Sequence, residues 1–132
     1  QLREELPQLD LDVIDDAPHD VCLARKQASD LCFDHMQGYY GMSSLEALAQ
    51  GLPTIAGLDD WNIAVIREFF QCEALPWVLA RTPDALAAAL RRLASDADVR
   101  REIGNASRAF METVWSEART TAALEAFYAG LR

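Results

Sequence analysis

Apolar positions along the chain fall into short runs of two alternating kinds. "LDVID" at residues 11–15 is a compact β-branched run and predicts a strand. "PHDVCLARKQAS" follows, with Pro18 and Asp20 as helix-start signals and Val21, Leu23, Ala24 and Ala28 as its apolar positions. "DLCFDHM" predicts a buried strand near Leu31, and "SSLEALAQG" a helix capped by Ser43 or Ser44 and stopped by Gly51. "LPTIAG" is a strand around Ile55, "NIAVIREFFQC" a helix, and "LPWVLA" a last strand around Val78. "TPDALAAALRRLASD" opens a helix with Thr82 as N-cap and Pro83 at its first position. The tail reads as helix throughout, broken near Trp115 and Ser116.

Strands alternating with helices imply an α/β fold: a parallel sheet with helices on both faces. The strands at Leu31, Ile55 and Val78 should be neighbours in that order, with the last two helices packed across the sheet through Phe110, Val114, Trp115, Leu124 and Phe127. No linker, repeat or low-complexity segment divides the chain. At 132 residues and 51% apolar, it can bury one core, so a single domain is expected.

Charge narrows the possible partners. Twenty-one acids against 12 bases leave a net charge of −9, and Lys26 is the only lysine, which argues against nucleic acid or an anionic membrane as partner. No apolar run approaches the roughly 20 residues that span a bilayer, and the first residues lack the pattern of a signal peptide. A soluble, cytoplasmic protein is the expectation. Because the sequence opens on Gln1, in "QLREELPQ", it reads as a piece of a longer protein.

Cys22, Cys32 and Cys72 are odd in number and form no C-x-x-C, which disfavours a disulfide framework and suits a reducing compartment. His19-x-x-Cys22 and Cys32-x-x-His35 would supply four zinc ligands. Residues an odd number apart on a strand point to opposite faces, so the second pair would not converge there. Core thiols are the preferred reading, and no metal site is expected.

The segment "QGYYGMSSLE" carries the chemistry. It leaves a strand and enters a helix, the place where parallel sheets bind ligands. Gly38 and Gly41 permit positive φ and close backbone approach. The N–H groups of Met42, Ser43, Ser44 and Leu45 stand at the positive end of the helix dipole, an anion cradle that needs no lysine. Glu46 lies one turn in, where its carboxylate can accept hydrogen bonds from two neighbouring ribose hydroxyls. Together these requirements describe a nucleoside diphosphate. Other polar residues have plainer readings. Tyr39 and Tyr40 pack the loop rather than a base, Trp61 packs a loop down, and Asp59 and Asp60 cap the helix from Ile63 to Phe70. Arg25 and Lys26 belong on the solvated face of their helix. His19 and His35 show no activating partner, so no catalytic residue is assigned.

"GYYGMSSLEALAQGLPTIA" resembles the donor-site segment of GT-B glycosyltransferases of the family 4 (group 1) type, which reads "EGFG", four residues, then "EAMACGLPVIAT". "ASDLCFDHM" is similar to the strand "ADVFVLPS" before that motif, "PDALAAALRRLASDADVRREIGNASRAF" to "ALAEAILRLLSDPELRRRLGEAARER", and "ETVWSEARTTAALEAFY" to the closing "FSWERVAERLLELY". The interval from Gly41 to Glu46 matches, and "EALAQGLPTIA" follows without a gap.

The resemblance implies that residues 1–132 are part of a C-terminal, Rossmann-like nucleotide-sugar-binding domain, cut short at its N-terminus and ending in closing helices at about 97–131. It implies Glu46 at the ribose and the backbone of Gly41, Met42, Ser43, Ser44 and Leu45 at the diphosphate of a UDP- or GDP-type sugar donor, with no further cofactor. The family's first glutamate falls on Gly38. Some bacterial members carry "DQ" and a "GWYG"-like turn there, so the donor-sugar side passes to Gln37, Gly38, Tyr39 and Tyr40. The implied activity, within carbohydrate biosynthesis, is transfer of a sugar from its nucleoside diphosphate to an acceptor the sequence does not specify. The family's arginine and lysine precede the region covered, so this chain alone should be inactive and bind nucleotide weakly. A GT-B-like nucleotide-sugar epimerase and a non-catalytic interaction or scaffold relative are the alternatives. Loss of the early strands also leads us to expect either the strand at Leu11 to Asp15 against an open sheet edge at Leu31, or self-association there.

Overall fold

The computed structural model describes residues 2–131. Ten elements follow one another: α1 (Leu2–Glu5), α2 (His19–Gln27), β1 (Cys32–Phe33), α3 (Met42–Ala49), β2 (Thr54–Ala56), α4 (Asp60–Phe70), β3 (Val78–Leu79), α5 (Pro83–Ser95), α6 (Ala97–Thr113) and α7 (Glu117–Gly130). The strands form one parallel sheet in the order β1-β2-β3. Cys32 pairs with Thr54, Phe33 with Ile55, and Ile55 in turn with Val78, which is the neighbour order expected from sequence.

β2 is the central strand, and all three of its residues are buried. A strand covered on both faces has no polar side to show, hence the unbroken apolar run in "LPTIAG". Side chains alternate across it. Ile55 packs with Ala80 and with Ala89 and Leu93 of α5, while Val99 and Ile103 of α6 close the margin of that cluster. Ala56 joins the opposite cluster with Leu48 of α3, Ile63, Ile66 and Phe70 of α4, Trp77, and Phe110 of α6. Helices thus cover both faces of the sheet.

Local chemistry sets the helix ends. Asp59 caps α4 by accepting the Asn62 N–H, as its sequence position predicts, and Thr82 caps α5 ahead of Pro83 by accepting that of Ala85. Asp96 separates α5 from α6 and accepts the N–H groups of Asp98 and Val99. The break near Trp115 is real: Ser116 caps α7. Between α3 and β2 the chain turns at Gly51, whose φ of 77° favours glycine. There α6 comes so close that a side chain at Gly104 would run into the Gly51 carbonyl.

Three expectations are corrected. Residues 11–15 form no strand; Leu11 and Val13 are 65% and 67% exposed, and the Arg25 side chain binds the Asp12 carboxylate and the Val13 carbonyl. A β-branched run without a strand to pair with gains nothing by extending. In α7, Leu124 and Phe127 are exposed and belong to neither core cluster: the helix lies against α4 and buries no residue, while Phe110, Val114 and Trp115 do pack on the core. Trp61, at 70% exposure, points to solvent rather than down onto a loop. Among the described residues no helix is long and apolar enough to cross a membrane.

Candidate functional site

The loop after β1 carries the segment singled out by sequence. Gly38 holds it down: with a φ of 93° it bridges to Leu58, and its carbonyl accepts the Asp59 N–H at 2.7 Å and the Asn62 amide at 3.0 Å. Beneath it the strand ends crowd together. A Cβ at Gly57 would lie 2.7 Å from Met36 Cα and 2.9 Å from the Ala80 carbonyl. The loop that ends at α3 is therefore braced on the neighbouring loop beyond β2.

α3 starts differently from expectation. Its N-cap is Gly41, at φ −100°, an ordinary extended conformation rather than the positive φ anticipated. Neither Ser43 nor Ser44 caps it. Ser44 is fully buried, its N–H goes to the Gly41 carbonyl at 3.1 Å, and its hydroxyl donates to Asp34 Oδ2 at 2.7 Å. Asp34 Oδ2 also accepts the Gly41 N–H at 2.8 Å. A side chain seven residues earlier, and almost wholly buried, thus does the capping, because the loop folds back over the end of β1. The helix's positive end already faces one carboxylate from below. Met42 and Ser43 retain N–H groups that a first helical turn cannot pair, and Met42 is 70% exposed. Leu45 packs against the core.

Glu46 projects from the same helix face, one turn on. Its Oε2 accepts the Lys26 ammonium at 2.6 Å, and its Oε1 lies 2.8 Å from His19 Nε2. The Lys26 bond, aided by His19 and opposed by partial burial, holds the Glu46 carboxyl below its usual range. Both basic residues correct the sequence reading. Lys26 is buried at 7% exposure, with its Nζ also 3.4 Å from the Ser43 carbonyl, and is not on a solvated face. His19 has a carboxylate partner after all. Helical spacing placed Lys26 on α2 correctly; what hid its role was the packing of α2 against α3, which spacing within one helix does not specify.

The donor-sugar candidates do not act together. Gln37 is exposed and accepts the Tyr39 hydroxyl at 2.8 Å, while the Tyr39 ring lies 4.5 Å from that of His35. Tyr40 turns inward, 5.3 Å from Trp115 and 5.6 Å from Trp77, and burial raises its phenol. Loop packing is thus its role, as expected. Sequence reasoning missed Arg81, just beyond β3, which reaches the Leu58 carbonyl at 2.6 Å and the Asp60 carboxylate at 2.6 Å. Asp60 therefore pairs with an arginine rather than capping α4. The three cysteines are free thiols, and among the described residues no group of His, Cys, Asp and Glu is arranged to hold a metal. A shallow hollow of about 420 Å³ on α7, lined by Thr121, Leu124, Glu125, Tyr128 and Ala129, shares no residue with this site.

The α3 end thus presents two N–H donors that have no partner among the described residues, beside an ionised carboxylate held by two basic side chains, at the end of a parallel sheet. No family model matches the chain, and neither a curated protein nor a solved structure does.

Proposed function

We propose that the chain is the donor-binding part of a glycosyltransferase of the GT-B kind, one that moves a sugar from a UDP- or GDP-type donor to an acceptor in the cytoplasm. The observation that carries this reading is the placement of Glu46. An ionised carboxylate, partly open to solvent, sits one turn inside a helix whose N-terminus lies beyond the carboxyl end of a parallel strand. The Met42 and Ser43 N–H groups would face the diphosphate, and Glu46 the ribose. The likeness of the segment from Gly38 to Ala56 to the family's donor motif supports the same assignment. Diphosphate affinity would be low, because the Asp34 carboxylate already lies at the helix end in a protein of net charge −9.

A second reading, a non-catalytic relative that serves as an interaction module, draws on one feature: both Glu46 oxygens already have partners within the protein. Titration calorimetry with UDP, GDP and ADP separates the two. Donor binding predicts weak but measurable affinity for at least one diphosphate and about a tenfold loss in Glu46→Ala, the scale of a hydrogen bond to a charged group. No binding to any of the three would overturn the donor-site reading and leave the interaction module.

A further inference from the structure

Lys26 is an unusual residue to bury. The ammonium must give up its water, and a hydrophobic side chain of similar size would fill the same space between α2 and α3 without that cost. The helices are tied in another way too, by the Gln50 amide donating to the Leu23 carbonyl at 3.0 Å. Joining α2 to α3 therefore does not require a cation. What Lys26 does that an apolar residue cannot is hold Oε2 of Glu46 at 2.6 Å while a second contact, 3.4 Å to the Ser43 carbonyl, refers its position to the first turn of α3.

His19 holds the other oxygen. Its Nε2 is 2.8 Å from Oε1, reached from the first turn of α2 with a side chain that is 72% exposed. With one oxygen held by each residue, the carboxylate cannot rotate about its last bond without breaking both contacts. An ionised carboxylate has about four acceptor positions, two on each oxygen. Lys26 and His19 take one apiece, so each oxygen keeps a free position. The carboxyl group is partly accessible, at 21% side-chain exposure. Two acceptors on one fixed plane suit two hydroxyl donors on adjacent carbons.

We infer that Lys26 and His19 are positioning residues that lock the Glu46 carboxylate in the orientation that receives both hydroxyls of a ribose, and so set a preference for ribonucleotides over 2′-deoxyribonucleotides. The inference rests on the donor-site reading above. It adds to it two residues and a selectivity. Because the free acceptor positions come as a pair, removing either sugar hydroxyl leaves one of them without a donor.

The test is titration calorimetry of UDP, GDP and their 2′-deoxy counterparts against the unaltered protein, His19→Ala, Lys26→Met and Lys26→Arg, with a melting temperature for each. The unaltered protein should prefer the ribonucleotide about tenfold. His19→Ala, at an exposed position that leaves the fold intact, should cut the preference about threefold. Lys26→Met should bring it close to one, and Lys26→Arg should restore most of it. Affinity for the 2′-deoxy compounds, which keep one of the two hydroxyls, should fall less than that for the ribonucleotides, whereas a purely structural contact would lower both by the same factor together with the melting temperature. If Lys26→Met fails to fold, His19→Ala and Lys26→Arg decide. A preference present in the unaltered protein and unchanged in the folded variants, or no preference in a protein that does bind, overturns the inference and leaves the donor-site reading standing. No binding of any nucleotide overturns that reading, and the inference with it.

Discussion

The Ser44 hydroxyl donates to Asp34 Oδ2 at 2.7 Å, so the cap of α3 comes from the end of β1 rather than from the helix's own serines. The same oxygen takes the Gly41 N–H at 2.8 Å. Asp34→Ala removes the oxygen that accepts both bonds and strands a fully buried hydroxyl, which should cost about 2–4 kcal/mol in denaturant unfolding. Asp34→Asn can set its amide oxygen where Oδ2 lies and keep both bonds without the charge that strengthens them, and should cost about 1 kcal/mol. By removing the negative charge beneath the helix end, it should also raise the affinity for UDP several-fold. An unchanged or weakened affinity in a folded Asp34→Asn protein would show that no diphosphate sits over Met42 and Ser43.

Much of this architecture was legible in the sequence because it depends on local pattern. The run "LPTIAG" announced a strand, and Asp59 and Thr82-Pro83 announced helix starts, since caps act within a turn. Burial was assigned to the wrong strand: "DLCFDHM", read as buried, forms the sheet edge with Phe33 exposed, while the central β2 is buried throughout. Errors came where a long-range partner decides. "LDVID" has strand composition, yet no strand lies beside it, and Arg25 holds it by a side chain instead. Ser43 and Ser44 looked like caps until Asp34, seven residues before Gly41, took that place. Lys26 and Glu46 are 20 residues apart, and nothing in either helix's periodicity says that their faces meet. The segment around α3 was read correctly as strand end, loop and helix, while the side chains that gather about it from α2 and β1 were not.

Acid should reveal the Lys26–Glu46 contact. The Glu46 carboxyl is held below its usual 4.5, so folding favours its ionised form. A depressed carboxyl gives stability that is fully present above the unfolded-state value and is lost as pH falls through the lowered native one. Unfolding free energy should therefore drop on acidification below about 4.5. Asp12 and Asp59, also lowered, contribute slopes of their own, so the readout is a difference between proteins. Glu46→Gln should be less stable near neutral pH by about 1–3 kcal/mol, because buried Lys26 loses its counter-charge, and the gap should narrow toward pH 3. Parallel pH curves for the two proteins would contradict the pairing.

Gly104 sets how close α6 can lie to the turn at Gly51. Alanine is the better helix former by about 1 kcal/mol, so an unconstrained site would be stabilised by the change. Here the added Cβ runs into the Gly51 carbonyl, a backbone atom that has little room to move. Gly104→Ala should thus lower stability by about 2 kcal/mol net, seen as a fall in melting temperature. Gly130 provides the control, since nothing lies within 4 Å of a Cβ there. A rise in melting temperature for Gly104→Ala would mean that α6 sits farther from the turn.

The outer edge of β1 is the place where copies of this chain should meet. Cys32 and Asp34 point their N–H groups inward, to the Pro53 carbonyl at 2.9 Å and the Ile55 carbonyl at 3.0 Å. In a parallel ladder the intervening residue, Phe33, turns its backbone groups the other way. Among the described residues no strand pairs on that side, and residues 11–15, the expected cover, are not a strand. Phe33 is 41% exposed, so an apolar side chain stands next to unpaired backbone donors and acceptors. Edges of this kind recruit a second strand unless charge or shape prevents it, and a lysine on the edge strand is one of the devices that do. Two effects oppose pairing: the strand is only two residues long, and each copy carries a net charge of −9. Association should therefore be weak and favoured by salt, which screens the repulsion. Light scattering across a concentration series should show dimers growing in as protein and salt increase, and Phe33→Lys should remain monomeric with an unchanged circular dichroism spectrum. A mass that stays monomeric at every concentration and salt level, or a Phe33→Lys protein that associates like its parent, would remove the edge from consideration.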